Sequence, residues 1–294
     1  MKNSLRQRPP ALLIGLAVAA VFVSLTPVSY LLIRVFEFGG QKVIQNVFRP
    51  RTLELLGNSL LLATAVAISA VAVGSFQAWL TVRTATKGRA LFAILAALPL
   101  AMPSYVTAYA FTALFSGFKG FFAAWLVLTI GTAPYVYLAV SAALFRSDAA
   151  TEEVARSLGS SRLRVFTRVT WPAIRPAAVS GGMLSILYSL SDFGAVSILS
   201  FDTFTRAIYS AYRSSFDRTG AASLATILVV ITVVLLILEP ALRGKDLNTD
   251  ARVRRTSQIN LGWFSAVAIS LASLWAVVSL LIPDSLEPNR LVAG

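Results

Sequence analysis

Seven long apolar runs divide this chain of 294 residues, and short polar or basic segments separate them. A helix needs about 20 residues to cross roughly 30 Å of hydrocarbon. The runs reach that length at 11–33, 55–80, 90–115, 121–145, 177–199, 220–239 and 260–282. Each run is continuous rather than alternating, and lipid offers no hydrogen-bonding partner to an open backbone, so helices are expected rather than barrel strands. The pattern predicts an all-α, polytopic helical membrane protein.

The composition agrees with this fold class and excludes several kinds of chemistry. Hydrophobic residues make up 56% of the chain, the mean hydropathy is +0.74 and only 13% of residues are charged, as expected of a membrane protein. Cysteine and histidine are both absent. This excludes disulfides, thiol nucleophiles, histidine bases and the usual zinc ligands. The net charge of +13 is better explained by membrane orientation than by nucleic-acid binding, so no nucleic-acid partner is expected.

The distribution of positive charge predicts the orientation in the membrane. With a cytoplasmic amino terminus and alternating sides, 17 of the 26 Lys and Arg residues fall in cytoplasmic segments, which agrees with the positive-inside rule. The first run is longer than the apolar region of a signal peptide, so it is interpreted as an uncleaved span. Pro99 and Pro103 in the third run and Pro134 in the fourth predict kinks, either as packing geometry or as part of a translocation path.

The segment 147–172 is polar and arginine-rich, and its pattern predicts two short amphipathic helices joined by a turn. Val154 and Leu158 share one face of the first helix because they are four residues apart. Gly159 supplies the left-handed residue that ends this helix. Pro172 is expected to stop the second helix and to suit the first turn of whatever follows. The residues alone leave two interpretations open: a loop resting on anionic headgroups, or a docking element for another protein.

The spacing of this segment resembles a known motif. It has the order E-V-A, three residues, Gly, nine residues, V-T-W-P at positions 153–172, which is similar to the "EAA" loop of ABC-transporter permeases. Val154, Val169 and Trp171 depart from the motif, while Glu153, Ala155, Gly159 and Pro172 match it.

The resemblance implies roles for the matching residues in docking a transport ATPase. Glu153 would face the ATPase and pair with a basic residue there, and Ala155 would let the helix lie close in the ATPase groove. Gly159 would make the turn between the two coupling helices, and Pro172 would set the entry into the fifth span. The chain would then be a transport subunit and not an enzyme, with no bound cofactor, because ATP and Mg would be held by a partner ATPase dimer.

A second resemblance concerns the cargo. After the loop the chain has D-F-G at 192–194 and T-F-T-R-A-I-Y at 203–209, which is similar to the ferric-iron permeases of the ABC superfamily. The resemblance implies a substrate-binding protein that delivers iron outside the membrane. Permeases for thiamine, phosphate or molybdate, and a non-transporting scaffold, stay open as alternatives. An intramembrane aspartyl protease is disfavoured, since it needs two membrane aspartates.

Asp192 is the carboxylate that lies deep in a predicted span, and ionisable groups there are usually functional or hydrogen-bonded. One interpretation places Asp192 and the adjacent Gly194 on the path of a hard cation that prefers oxygen ligands. The other is that Asp192 accepts hydrogen bonds from neighbouring helices or caps a helix break beside Gly194.

The predicted organisation is a six-span core at 1–240, a basic cytoplasmic linker at 241–258, and a seventh span with an outer tail at 259–294. The seventh span weakly echoes the first, as the start of a second permease half would. The resemblance therefore implies a partner half or a second permease subunit, either fused to this one or separate, in the inner or plasma membrane.

Overall fold

The computed structural model describes residues 11–38, 48–84, 88–147, 149–213 and 218–244. Its helices, in chain order, are α1 Ala11–Phe38, α2 Pro50–Arg83, α3 Arg89–Ala97, a 3₁₀ turn Leu98–Ala101, α4 Ser104–Leu114, α5 Phe121–Arg146, α6 Ala149–Ser157, α7 Arg162–Val165, a π turn Phe166–Thr170, α8 Trp171–Ser191, α9 Gly194–Ile198, α10 Phe204–Arg213 and α11 Arg218–Arg243. The prediction of an all-α polytopic membrane protein is confirmed.

Length and hydropathy mark three of the described helices as able to cross a membrane, within Pro50–Arg83, Phe121–Arg146 and Gly220–Arg243. The third predicted span does not form one kinked helix. Instead Arg89–Ala101 and Ser104–Leu114 are bent by 94° relative to each other, and they count as a fourth span only if taken together. The expected six-span core therefore stays a prediction, and the seventh span at 260–282 and most of the linker at 241–258 lie outside the described residues.

The break in the third predicted span follows from its two prolines. Neither Pro99 nor Pro103 can donate a backbone hydrogen bond, and a residue before proline avoids the helical region. Met102 is accordingly extended, with φ −96° and ψ 121°, and α4 restarts after Pro103. Pro134, in contrast, lies inside α5, which continues to Arg146. The two prolines four residues apart interrupt a helix where the single proline does not.

The core of the described bundle is made by α2, α5 and α8, which pack against one another. Small residues let these helices approach closely, as is typical of membrane helices. A Cβ added at Gly74 of α2 would lie 2.7 Å from the carbonyl oxygen of Ala133, and one at Gly181 of α8 would lie 2.7 Å from the Cα of Val136. Both glycines thus face α5. Because they have no side chain, the helices can touch at these two contacts.

Candidate functional site

The segment 149–170 forms a helical hairpin at the end of the bundle where α2 and α5 finish, and we call it the coupling hairpin. Gly159 has φ +82°, and the Ser160 N–H donates to the Ala155 carbonyl at 3.1 Å while the Gly159 N–H donates to the Arg156 carbonyl at 2.9 Å. This pair of bonds is the Schellman motif, which requires a left-handed residue at the position of Gly159. The predicted helix, glycine turn and helix are confirmed.

One face of the coupling hairpin is apolar and exposed. Val154, Leu158 and Leu163 are 58%, 80% and 73% exposed. Glu153 is exposed too, and Ala155 is half-buried. A charged residue beside a group of exposed aliphatic side chains is suited to contact with another protein, because such groups are seldom left bare without a partner.

The opposite side of the first hairpin helix carries a buried ion pair that the sequence analysis did not identify. Arg83, the last residue of α2, places its Nη2 3.3 Å from Glu152 Oε1, and the two side chains are only 1% and 7% exposed. Arg83 Nη2 also donates to the Ser147 hydroxyl. The Thr170 hydroxyl donates to Glu152 Oε1 at 3.1 Å. Glu153 is the residue that the motif predicts for the site, whereas the neighbouring Glu152 holds the hairpin to the bundle.

The prediction for Pro172 is confirmed in one part and wrong in the other, because the proline lies in the first turn of the next helix but does not interrupt the helical path of the chain. Val165, Thr170 and Trp171 all have right-handed helical torsions, so the chain passes from α7 through the π turn into α8. Pro172 lies in the first turn of α8, where its missing N–H does little harm. The π turn holds one residue more than an α-helical turn and lies just before the proline. Such turns are frequent at functional sites.

An apolar groove lies between the coupling hairpin and α2. It has a volume of about 660 Å³ and is lined mainly by apolar side chains, among them Ile68, Phe76 and Trp79 of α2, Phe166 of the hairpin and Trp171 at the start of α8. Glu152 also lines the groove, so the buried ion pair is close to the main apolar recess of this end of the protein.

Asp192 lies at the interruption between α8 and α9, and both of its carboxylate oxygens have partners. Oδ1 accepts a hydrogen bond from the Ala195 N–H at 2.9 Å, three residues on, so Asp192 caps the first turn of α9. Oδ2 accepts a short hydrogen bond from the Ser104 hydroxyl. These contacts support the hydrogen-bonding interpretation of Asp192, and its place on a cation path stays a prediction.

The bond between Ser104 and Asp192 joins the two helix interruptions of the bundle. Ser104 begins α4 immediately after the break at Pro103. Gly194, the first residue of α9, packs against the same helix, because an added Cβ would lie 2.8 Å from Tyr105 Cβ. Gly194 therefore permits the close approach of α4 and α9, and this explains a glycine there without any contact to cargo.

A polar pocket lies at the opposite end of α2 from the coupling hairpin. It has a volume of about 420 Å³ and its lining includes Arg49, Arg51, Arg206 and Asp202. Arg51 donates to Asp202 at 2.6 Å, and Arg206 donates to the same carboxylate. The hydrogen bond from Arg51, with help from Arg206, holds the pKa of the Asp202 carboxyl below its usual value. Arg51 also pairs with Glu54 at 2.9 Å, so two carboxylates face three guanidinium groups here and the pocket keeps a positive character.

Within the residues that the structure describes, no group of three or more acidic side chains could hold a metal ion.

Comparisons with known proteins agree with this architecture. The family described as "Binding-protein-dependent transport system inner membrane component" matches residues 70–244. The chain is 36% identical over 240 residues to the Fe(3+)-transport system permease protein FbpB 2 of Haemophilus influenzae, covering 82% of this chain and 47% of that protein. It is 28% identical over 256 residues to the sulfate transport system permease protein CysT of Salmonella typhimurium, covering 79% of this chain and 92% of that protein.

Thus the chain spans about half the length of the ferric relative and most of the length of the sulfate relative. Among solved structures, a bacterial alginate ABC transporter in complex with an alginate pentasaccharide-bound periplasmic protein matches with a TM-score of 0.65 and 14% identity, covering 82% of this chain and 96% of that one. At this identity the match supports the fold alone.

Proposed function

Because the chain belongs to the family of binding-protein-dependent transport system inner membrane components, we propose that it is the membrane-spanning subunit of an ATP-driven importer of ferric iron. ATP and Mg are held by a separate ATPase dimer, and a binding protein delivers the iron from outside. A second permease half completes the pathway, fused or separate. The amino terminus lies in the cytoplasm, so that the coupling hairpin faces the ATPase.

The observation that carries this proposal is the geometry of the coupling hairpin. Val154 and Leu158 present an exposed apolar surface beside Glu153, while Gly159 fixes the turn. Buried apolar anchors next to a charged pair are the usual source of interface affinity. The ATPase receives this surface, Glu153 pairs with a basic residue of the ATPase, and closure of the ATPase dimer moves the hairpin.

The cargo assignment is supported by the higher identity to the ferric permease, 36% against 28% for the sulfate permease. A second candidate is a tetrahedral oxyanion such as sulfate. The observation that favours it is the pocket lined by Arg49, Arg51 and Arg206, since arginine binds oxyanions with two parallel hydrogen bonds. Ferric iron delivered with an accompanying anion would also be accommodated by this positive pocket.

The test is uptake by proteoliposomes that contain the full chain with a partner permease half, an ATPase and a binding protein that co-purify with it. We expect ATP-dependent uptake of ⁵⁵Fe(III) citrate and no uptake of ³⁵S-sulfate. Glu153→Ala should weaken ATPase binding roughly thirtyfold and lower uptake with it, because truncating one partner of an interfacial charge pair costs about 2 kcal/mol or more.

Glu54→Ala is the matched control, since Glu54 is an exposed carboxylate at the opposite end of α2. It should leave ATPase binding unchanged. Sulfate uptake without iron uptake would overturn the cargo and keep the importer assignment. An ATPase that binds the Glu153→Ala protein as tightly as the wild type would overturn the docking assignment.

A further inference from the structure

We propose that the buried pair Arg83–Glu152 is a positioning element that makes the coupling hairpin and α2 move as one unit. The proposal rests on the proposed function in taking the hairpin as the contact with the ATPase. It assigns a task to two residues that do not touch that partner. Glu153 faces outward from the hairpin and Glu152, its neighbour in sequence, faces inward.

The position of each charge is matched to the helix end that carries it. Arg83 is in the last turn of α2 and Glu152 in the first turn of α6, and helix dipoles favour a cation at the first place and an anion at the second. The two ends therefore attract each other through their side chains as well as through their backbones. This arrangement draws the start of the hairpin to the end of the span.

The pair also connects more than two elements. Ser147 is the C-cap of α5 and accepts a hydrogen bond from Arg83, while Thr170, in the π turn that leads into α8, donates to Glu152. The three helices that make the core, α2, α5 and α8, thus all reach the pair. A displacement of α6 is passed to all three of them at this one point.

Burial shows that the pair is better suited to fixing a position than to adding stability. Buried ion pairs usually add little net stability compared with apolar residues of similar size, whereas breaking one partner is costly, and a buried polar group can select one arrangement. The nearby groove between α2 and the hairpin is lined mainly by apolar side chains, and apolar contacts are not directional. The pair and its hydroxyl partners Ser147 and Thr170 supply directional contacts on this side of the hairpin.

The first experiment measures the position of the hairpin in the full chain in lipid nanodiscs. The sequence contains no cysteine, so spin labels can be placed by Leu61→Cys in α2 and Ser157→Cys in the hairpin, both at exposed sites. We expect a narrow distance distribution. The double variant Arg83→Met/Glu152→Leu removes both charges without leaving a lone buried one, and we expect it to broaden the distribution. Arg164→Met, at an exposed arginine of the same hairpin, should leave it narrow.

The second experiment measures transport by the reconstituted complex. We expect Arg83→Met/Glu152→Leu to bind the ATPase as the wild type does and to hydrolyse ATP, while the ⁵⁵Fe(III) transported per ATP falls roughly tenfold. The charge-reversed protein Arg83→Glu/Glu152→Arg should regain part of that ratio. A purely structural role predicts lower thermal stability with an unchanged ratio.

The results separate this proposal from the proposed function. A distance distribution as narrow in the apolar double variant as in the wild type overturns the positioning role, whatever the ATPase does. Failure of the wild-type chain to bind the ATPase overturns the docking role of the hairpin, even if the distances behave as expected. Failure to take up iron in an otherwise active complex overturns the cargo alone.

Discussion

Replacing Gly159 by alanine isolates the contribution of one backbone torsion angle to ATPase docking. Gly159 has φ +82°, and an added Cβ would have no atom within 4 Å. The substitution therefore introduces no steric clash with neighbouring residues. Its cost is the left-handed conformation itself, which is roughly 1–2 kcal/mol for a residue with a Cβ.

The hairpin lies at the surface, so in the free protein it can relieve this strain by opening its turn locally. Binding to the ATPase requires the native turn, and the strain then appears as lost affinity. That cost of about 1–2 kcal/mol corresponds to a dissociation constant weaker by roughly five- to thirtyfold. Gly159→Asn should lose much less, because asparagine tolerates the left-handed region. Gly159→Pro should abolish docking, because it fixes φ near −65° and removes the N–H that donates to Arg156.

The assay is the equilibrium binding of the purified ATPase to the full chain in nanodiscs. Gly57→Ala is the matched control. Gly57 is exposed within α2, and an added Cβ there also meets nothing within 4 Å, but its backbone is helical. It should leave the dissociation constant unchanged. If Gly159→Ala bound the ATPase as tightly as the wild type, the left-handed turn would have no part in docking.

Three further predictions concern the rest of the bundle. Asp192→Ala removes the cap of α9 and should lower the free energy of unfolding by about 1 kcal/mol, whereas Asp192→Asn keeps a good capping residue. Thermal unfolding in detergent measures both effects. Undiminished iron uptake by Asp192→Asn would remove the carboxylate from the cation path. Gly181→Val puts a Cβ 2.7 Å from the Val136 Cα, so it should separate α5 from α8 and abolish the folded protein in membranes; normal yield and melting temperature would contradict this packing. Arg51 lowers the pKa of Asp202 in the folded state. The stability that Asp202 contributes is therefore present above the usual pKa of the carboxyl and is lost as the pH falls through the lower folded value. The melting temperature of Asp202→Asn should depend less on pH in that acid range than the wild type does, and an unchanged acid dependence would refute the assignment.

The local geometry of the coupling hairpin could be predicted from sequence because it depends on neighbouring residues. A glycine six residues after Glu153, at the end of an amphipathic run, is sufficient to predict the turn, and the Schellman bonds confirm it. Pro172 was correctly expected to suit the first turn of the next helix. It was wrongly expected to end the preceding helix, because the residue pattern does not show that two helical segments join without a break. The π turn that precedes it leaves no composition signal.

The buried pair could not be predicted, because it joins residues far apart in the chain. Arg83 matched the general expectation for basic residues at cytoplasmic ends of spans, and Glu152 matched the expectation for an acidic residue at a helix start. Each residue was thus explained locally, and nothing in the sequence indicated that they meet. The break at Pro99 and Pro103 was expected as a kink, and the structure shows that two prolines stop the helix and turn it through 94°.

The two glycine contacts on α5 have a mechanical consequence. Gly74 of α2 and Gly181 of α8 place their helices directly on the backbone of α5 around Ala133 and Val136. At these two points no side chain of α2 or α8 separates the backbones, so we expect sliding of either helix along α5 to be resisted there. A large movement of this bundle should then rotate α2, α5 and α8 together. Among the described residues, the interrupted helices around Pro103 and Asp192 are the places where we expect that rotation to be accommodated.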